Sequence, residues 1–244
     1  MTTILITGAS SGIGKACALA LKGKGVHLIL TGRRAKELQK VAAKCKPAKV
    51  TTLVFDIQDQ KATIAALKNL KVDILINNAG LSLDLSPADE TSLEDWNTMV
   101  DTNIKGLMTA TRVLLPAMRK RKRGHIINIS SIAGSYAYFG SNVYGATKAF
   151  VTYFSQALRA DLLGSPIRVT NIEPGMTETE FSEVRFKGDS KRAEAVYKGL
   201  TPLSAEDIAE TVRWAIAQPP HVNINRIEVM PVMQALGGPQ VSRK

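Results

Sequence analysis

Apolar residues along this chain follow two alternating patterns. Short, β-branched runs of strand length fall at Ile4 to Thr7, His27 to Thr31, Thr51 to Phe55, Ile74 to Asn77, His125 to Ile129, Ile167 to Ile172 and Ile227 to Met230. Between them, apolar positions recur every three or four residues, which predicts helices over Ile13 to Lys24, Arg34 to Cys45, Gln60 to Leu70, Leu93 to Arg123 with a break near Asn103, Val143 to Leu163, and Ala205 to Ala217. Most of the strand runs are too uniformly apolar to carry a wet face, so each should lie in a sheet covered by helices on both sides. Strand and helix in strict alternation imply βαβ units and a mostly parallel, seven-stranded, doubly wound α/β sheet. One stretch, Met176 to Pro202, has no clear period. It is longer than the ~12 to 15 residues usual for an idle loop, and we expect it to be a substrate lid.

Composition narrows this picture. With 244 residues, 45% of them hydrophobic and 22% charged, the chain fits one larger α/β domain over residues 1–244 better than two small ones. The start, MTTILITGAS, runs directly into a strand without a basic n-region or a small-residue cleavage site. No window approaches the ~18 to 20 apolar residues of a bilayer span. The expectation is a cytoplasmic protein with no membrane association. Cys17 and Cys45 sit in helical segments without CxxC spacing, and the three histidines, His27, His125 and His221, are scattered. Neither a metal site nor a disulfide is expected; each thiol reads as a small buried hydrophobe. The net charge of +11 is spread along the chain except for Arg119 to Arg123. That run is either a solvated helix end, where cations complement the helix dipole, or a patch for a partner. No nucleic-acid module is recognisable, and no nucleic-acid partner is expected.

The first strand runs into Thr7-Gly8-Ala9-Ser10-Ser11-Gly12-Ile13-Gly14, and a helix starts at once. In that context glycines permit a tight turn and a close approach of backbone to pyrophosphate, with the first helical N–H groups facing the anion. The domain is therefore expected to be of the Rossmann type, binding a dinucleotide through Gly8, Ser10, Ser11, Gly12, Ile13 and Gly14. The second strand ends in Arg33 and Arg34, where an NAD site would place an acidic residue on the ribose hydroxyls. Two guanidiniums suit the 2′-phosphate of NADP. The alternative, that they decorate the next helix, is opposed by the dipole at that helix's N-terminus.

Further motifs follow in order: Asp56 after the third strand, Asn77-Asn78-Ala79-Gly80 after the fourth, Asn103, Ser131, Tyr144-Gly145-Ala146-Thr147-Lys148, and Pro174-Gly175. Together with the glycine turn, they make the chain resemble the short-chain dehydrogenase/reductase family over essentially its whole length. More narrowly, GRR at 32–34, NVYGATKAF at 142–150, EFSEVRFKGD at 180–189, HVNIN at 221–225 and MPV at 230–232 are similar to the bacterial NADP-dependent 3-hydroxy acid (serine, allo-threonine) dehydrogenases. The resemblance implies an NADP(H)-dependent oxidoreductase in which Tyr144 is the acid/base. It gives Lys148 the nicotinamide ribose hydroxyls, Ser131 the substrate oxygen, and Asn103 a water of the proton relay. It places Asp56 and Ile57 beside the adenine, Asn78, Ala79 and Gly80 on the adenosine side, and Pro174, Gly175 and Thr177 at the nicotinamide end. It also implies a homotetramer built on the helices at Ile104 to Arg123 and Val143 to Leu163.

The chemistry asks for these residue types. A free phenol has a pKa near ~10, too high for an efficient base at neutral pH. Lys148, four residues on, shares a helix face with Tyr144, and its ammonium, with an oxidised nicotinamide, should draw the phenol towards working range. Ser130 competes with Ser131 for the substrate oxygen, and Asn103 also suits a helix kink. In the lid, Arg185 is the choice for a substrate carboxylate, among Lys187, Lys191 and Arg192, which also read as solvated loop residues. The expected reaction interconverts a small 3-hydroxy acid (serine, allo-threonine or 3-hydroxypropionate type) and its 3-oxo form. Alternatives are a 3-oxoacyl carrier-protein reductase or general carbonyl reductase, and a non-catalytic NADP-binding or nucleic-acid-binding protein.

Overall fold

The structure, a computed structural model, describes residues 1–235. The last nine residues of the expected domain, 236–244, lie outside the described part. Seven strands form one sheet in the order β3-β2-β1-β4-β5-β6-β7: β1 (Thr2–Ile6), β2 (Val26–Gly32), β3 (Lys49–Val54), β4 (Ile74–Asn77), β5 (Gly124–Ile129), β6 (Ile167–Pro174) and β7 (Arg226–Val229). All six pairings are parallel, so the sheet expected to be mostly parallel is wholly so among the described residues. The order reverses between β1 and β4, the point where open α/β sheets leave a crevice at the strand carboxyl ends.

The two-residue repeat of each strand assigns its side chains to two cores. Ile4 and Ile6 of β1, Leu28 and Leu30 of β2 and Ile127 and Ile129 of β5 pack with α1 (Gly12–Ala20), α2 (Ala35–Ala43) and α9 (Ala205–Ala217). The intervening Leu5, Ile29, Leu75, Ile126 and Val169 pack on the other face with α3 (Gln60–Leu67), α5 (Leu107–Arg121) and α6 (Asn142–Asp161). Both faces are dry, hence the continuous apolar runs. Cys17 and Cys45 are buried and free, and Cys17 packs as a small hydrophobe whose thiol burial pushes up to about 12.

Two expectations change. The break anticipated near Asn103 in the helix over Leu93 to Arg123 takes the form of a wider turn, not of an end to the helix. α4 (Leu93–Val100) passes through one wide π-helical turn, Asp101–Gly106, directly into α5. A Cβ on Gly106 would lie 2.8 Å from the Ile57 side chain, so only glycine lets the turn pass that close to the end of β3. The second change concerns Met176 to Pro202, which is not an aperiodic loop but holds α7 (Phe181–Arg185) and α8 (Ser190–Tyr197). Five and eight residues are too few to show a helical period, and α8 begins where the Asp189 carboxylate accepts the Arg192 amide. The basic run at the end of α5 is partly built into the fold: Arg121 donates to the Val72 carbonyl, and Arg121 and Arg123 both face Asp73.

Candidate active site

A cleft of about 740 Å³ opens at the carboxyl ends of the strands, between the glycine turn and the 176–202 segment. It is within the size range of ligand pockets. At its floor β1 turns into α1 through Gly8, whose φ of +66° and approach to Ala79 (2.9 Å from where a Cβ would sit) admit no side chain. α1 starts after Ser11 with no side-chain cap and no acidic residue in its first turn. Its leading N–H groups are free to meet an anion. Thr7 and Asn78 fix this turn: the Thr7 hydroxyl accepts the Asn78 and Ala79 amides, and the Asn78 side-chain amide donates to the Thr7 and Gly8 carbonyls.

Of the anticipated cofactor residues, Gly8, Ser10, Ser11, Gly12, Ile13, Arg33, Arg34, Asp56, Ile57, Asn78, Ala79, Gly80, Tyr144, Lys148, Pro174, Gly175 and Thr177 all line the cleft. Gly14 does not. A Cβ there would meet the Gly8 carbonyl oxygen at 2.4 Å and the Asn78 amide at 2.5 Å, so Gly14 packs the helix against the back of the turn. Arg33 reaches Asp56 at 3.5 Å, while Arg34 donates to Ser10, Ser11 and Glu180. The uncapped helix start fits a pyrophosphate and the two guanidiniums fit a further phosphate.

Across the cleft, α6 presents Tyr144 and Lys148, both buried. The short turn Ile132–Gly134 lies against them because Gly134 carries no Cβ; one would sit 2.6 Å from the Lys148 main chain. This approach brings Ser131 beside Tyr144, where its hydroxyl lowers the phenol's pKa. Ser130 turns the other way, to the Ile172 carbonyl and Thr152. Of the two hydroxyls, Ser131 is the one beside Tyr144. Burial pushes Tyr144 up to about 12, assisted by Tyr138 and opposed first by Arg185 and then by Ser131. Among the protein's own groups, the chief cation opposing this rise is Arg185. Lys148 Nζ lies 5.8 Å from the Tyr144 ring centre, donates to the Ile129 carbonyl at 3.0 Å, and is itself pushed down to about 8 by burial.

Asn103 is buried behind this pair and does not line the cleft. Its side chain exchanges two hydrogen bonds with the Leu81 main chain and donates to Thr147. The side chain thus holds the π-helical turn against the segment after β4 and against α6, which leaves the main chain for any proton relay.

Arg185 stacks over Phe181 at 5.0 Å and Tyr144 at 5.6 Å, and its Nε is buried without a hydrogen-bond partner among the described residues. The neighbouring cations are occupied elsewhere: Lys187 with Asp95 at 2.8 Å, and Arg192 with Asp84 and over the Phe186 ring.

Three features had no signal in the sequence. Tyr197, from α8, shares a hydrogen bond with Ser182 and donates to the Thr177 carbonyl. Gln234, near the end of the described chain, accepts the Met176 amide. Third, Asn77, Asn128, Asn171 and Arg226 are register partners across four strands. Asn77 donates to Asn128, Asn128 to Ser155 of α6, and Asn171 to Thr152 of α6, and this ladder seats the helix that carries Tyr144 and Lys148.

A doubly wound sheet with a phosphate turn at its switch point and a serine, tyrosine and lysine gathered at the far side of the cleft defines a dinucleotide-dependent oxidoreductase. The chain belongs to the short-chain dehydrogenase family, whose model matches residues 2–190. It is 50% identical to a serine 3-dehydrogenase of Rhizobium radiobacter, over 99% of this chain and 98% of that one. It is 49% identical to an NADP-dependent 3-hydroxy acid dehydrogenase of Salmonella typhi, over 98% and 99%. The closed form of serine dehydrogenase complexed with NADP+ superposes with a TM-score of 0.92 at 47% identity, covering all of both chains. Among the described residues, no helix is long and apolar enough to cross a membrane.

Proposed function

We propose that this oxidoreductase interconverts a small 3-hydroxy acid and the corresponding 3-oxo acid, with NADP(H) as cofactor. The cofactor reading rests on Arg33 and Arg34 at the end of β2 and on the NADP-dependence of the relatives. Gly8 to Ile13 and the α1 N-terminus hold the pyrophosphate, and Arg33 and Arg34 the 2′-phosphate. Asp56 and Ile57 border the adenine, with Asn78, Ala79 and Gly80 along the adenosine side. Lys148 holds the nicotinamide ribose, and Pro174, Gly175 and Thr177 the nicotinamide. When bound, the nicotinamide supplies or takes the hydride.

Tyr144 delivers the proton to the carbonyl oxygen on reduction and removes it from the alcohol on oxidation. A phenol raised to about 12 is fully protonated at neutral pH, which suits it as the acid. Ser131 hydrogen-bonds the same substrate oxygen, aimed where charge develops. The 176–202 segment closes over the substrate, excluding water.

The single observation that carries the substrate class is the Arg185 guanidinium, held over the Tyr144 ring with Nε buried and, among the described residues, unpartnered. A buried donor without a partner costs free energy, and a carboxylate one carbon from the reacting centre would supply one. The test is a substrate panel of free 3-hydroxy and 3-oxo acids, their methyl esters, and carrier-linked 3-oxoacyl thioesters. The free acids should give the highest kcat/KM; preference for the thioester or the ester would assign the enzyme to another substrate class.

A further inference from the structure

The guanidinium of Arg34 already has an anionic partner in the folded protein, and that partner belongs to the lid. Arg34 donates to the Glu180 carboxylate at 2.8 Å, to the Ser11 hydroxyl at 2.5 Å and to the Ser10 hydroxyl at 3.2 Å. Glu180 is the residue immediately before α7, the helix that contributes Phe181 and Arg185 to the cleft. A guanidinium that grips a carboxylate while bonded to two serine hydroxyls has the charge and donor set that a phosphate monoester would need at the same place. The other arginine differs. Arg33 meets Asp56 at 3.5 Å, and Asp56 accepts the Gln58 amide within the β3–α3 turn, so that pair does not involve the 176–202 segment.

We propose that Glu180 is a coenzyme-discriminating residue: its carboxylate occupies the place on Arg34 that the 2′-phosphate of NADP(H) takes, and yields it when that phosphate arrives. This inference rests on the NADP(H) reading given above and adds a residue on the opposite wall of the cleft. Three consequences follow. Glu180 weakens phosphate binding, because the phosphate must first displace it. NAD(H), lacking that phosphate, leaves the Arg34–Glu180 pair intact. Release of Glu180 also frees the start of α7, so occupation of the phosphate site and the position of Phe181 and Arg185 are coupled, and the coupling is reciprocal.

The pair is exposed on both sides, with side chains 47% and 51% accessible, so the effect is modest. Exposed pairs measure at most about 1 kcal/mol, a shift of up to about fivefold. The experiment uses calorimetric titration of the intact protein with adenosine 2′,5′-bisphosphate and with 5′-AMP. Glu180→Gln keeps the shape and removes the charge. It should bind the bisphosphate about two- to fivefold more tightly than wild type and 5′-AMP equally well, and the gain should vanish in the Arg34→Ala background. Equal or weaker bisphosphate binding by Glu180→Gln would overturn the proposal, because it would make Glu180 a group that steadies Arg34 for the phosphate. Weak bisphosphate binding by wild type, matched by 5′-AMP, would instead reject the NADP(H) reading itself. Amide hydrogen exchange over residues 181–186 gives the second readout. The bisphosphate should lower protection there in wild type and leave Glu180→Gln unchanged; no change in wild type would overturn the link to the lid.

Discussion

Arg185 lies 5.6 Å above the ring of Tyr144, and the two meet although they stand 41 positions apart in the chain with the whole of β6 between them. The same guanidinium is the strongest influence holding down a phenol that burial raises. A substrate carboxylate on Arg185 would sit beside the reacting oxygen, and its charge would also offset that influence. Arg185→Ala should therefore lower kcat/KM for a 3-hydroxy acid by about tenfold to a hundredfold, the range of a charge-assisted hydrogen bond, and change the methyl ester far less. Parallel losses on both substrates would reduce Arg185 to a packing residue of the lid.

Tyr144→Phe removes the transferable proton but keeps the ring that packs with Leu81, Met99 and Phe181. Cofactor affinity should survive while kcat falls by about two orders of magnitude or more, as for loss of a general acid. A variant retaining a tenth of the wild-type kcat would show that another group moves the proton.

The pH profile of the reduction should report Lys148. Tyr144, raised to about 12, stays protonated across the working range, whereas Lys148, lowered to about 8 by burial, loses its proton and charge above that value. Steady-state reduction should show kcat/KM constant below pH about 8 and falling above it. The residual activity of Lys148→Arg should lack that limb, because a guanidinium does not titrate there. A limb unchanged in the arginine variant would assign it to a different group.

Stability in acid should depend on His125, buried in β5 with its Nε2 on the Thr170 hydroxyl and its pKa lowered to about 3 by burial and by Arg168. Between about 3 and the ordinary value near 6.5 the unfolded chain binds the proton that the folded one refuses. Stability is thus complete above about 6.5 and is lost as the pH falls towards 3, at up to about 1.4 kcal/mol per pH unit. Chemical denaturation from pH 7 to pH 4 should show a shallower loss for His125→Gln than for wild type. Equal slopes would place the acid sensitivity elsewhere.

Helices α5 and α6 carry large apolar groups outward: Met108 on α5 is 42% exposed and Tyr153 on α6 is 73% exposed. Phe150 and Phe154 stack along α6 with ring centres 5.7 Å apart. We expect these faces to be covered by copies of the same chain in a tetramer. Light scattering should give four times the 26.4 kDa chain mass, and Tyr153→Glu should shift it to smaller species. A concentration-independent monomer would overturn the expectation.

The sequence by itself determined the sheet and the cofactor end of the cleft. Their signals are local: an apolar run of strand length, a glycine turn between a strand and a helix, two arginines where an acid would serve NAD, and a tyrosine and lysine one helical turn apart. Only the tertiary structure decided what depends on residues distant in the chain. What the Asn103 side chain touches was not legible: it is held by Leu81 and Thr147, partners 22 and 44 positions away. Gly14 belonged to the motif yet packs behind it. Among the lid cations Arg185 was the choice from sequence, but only the fold pairs Lys187 with Asp95 and Arg192 with Asp84 and sets Arg185 above Tyr144. Periodicity and motif spacing record which residues share a helix face or a turn. Which charges are paired and which phenol is buried depends on how separate elements pack, and on the low dielectric that packing creates.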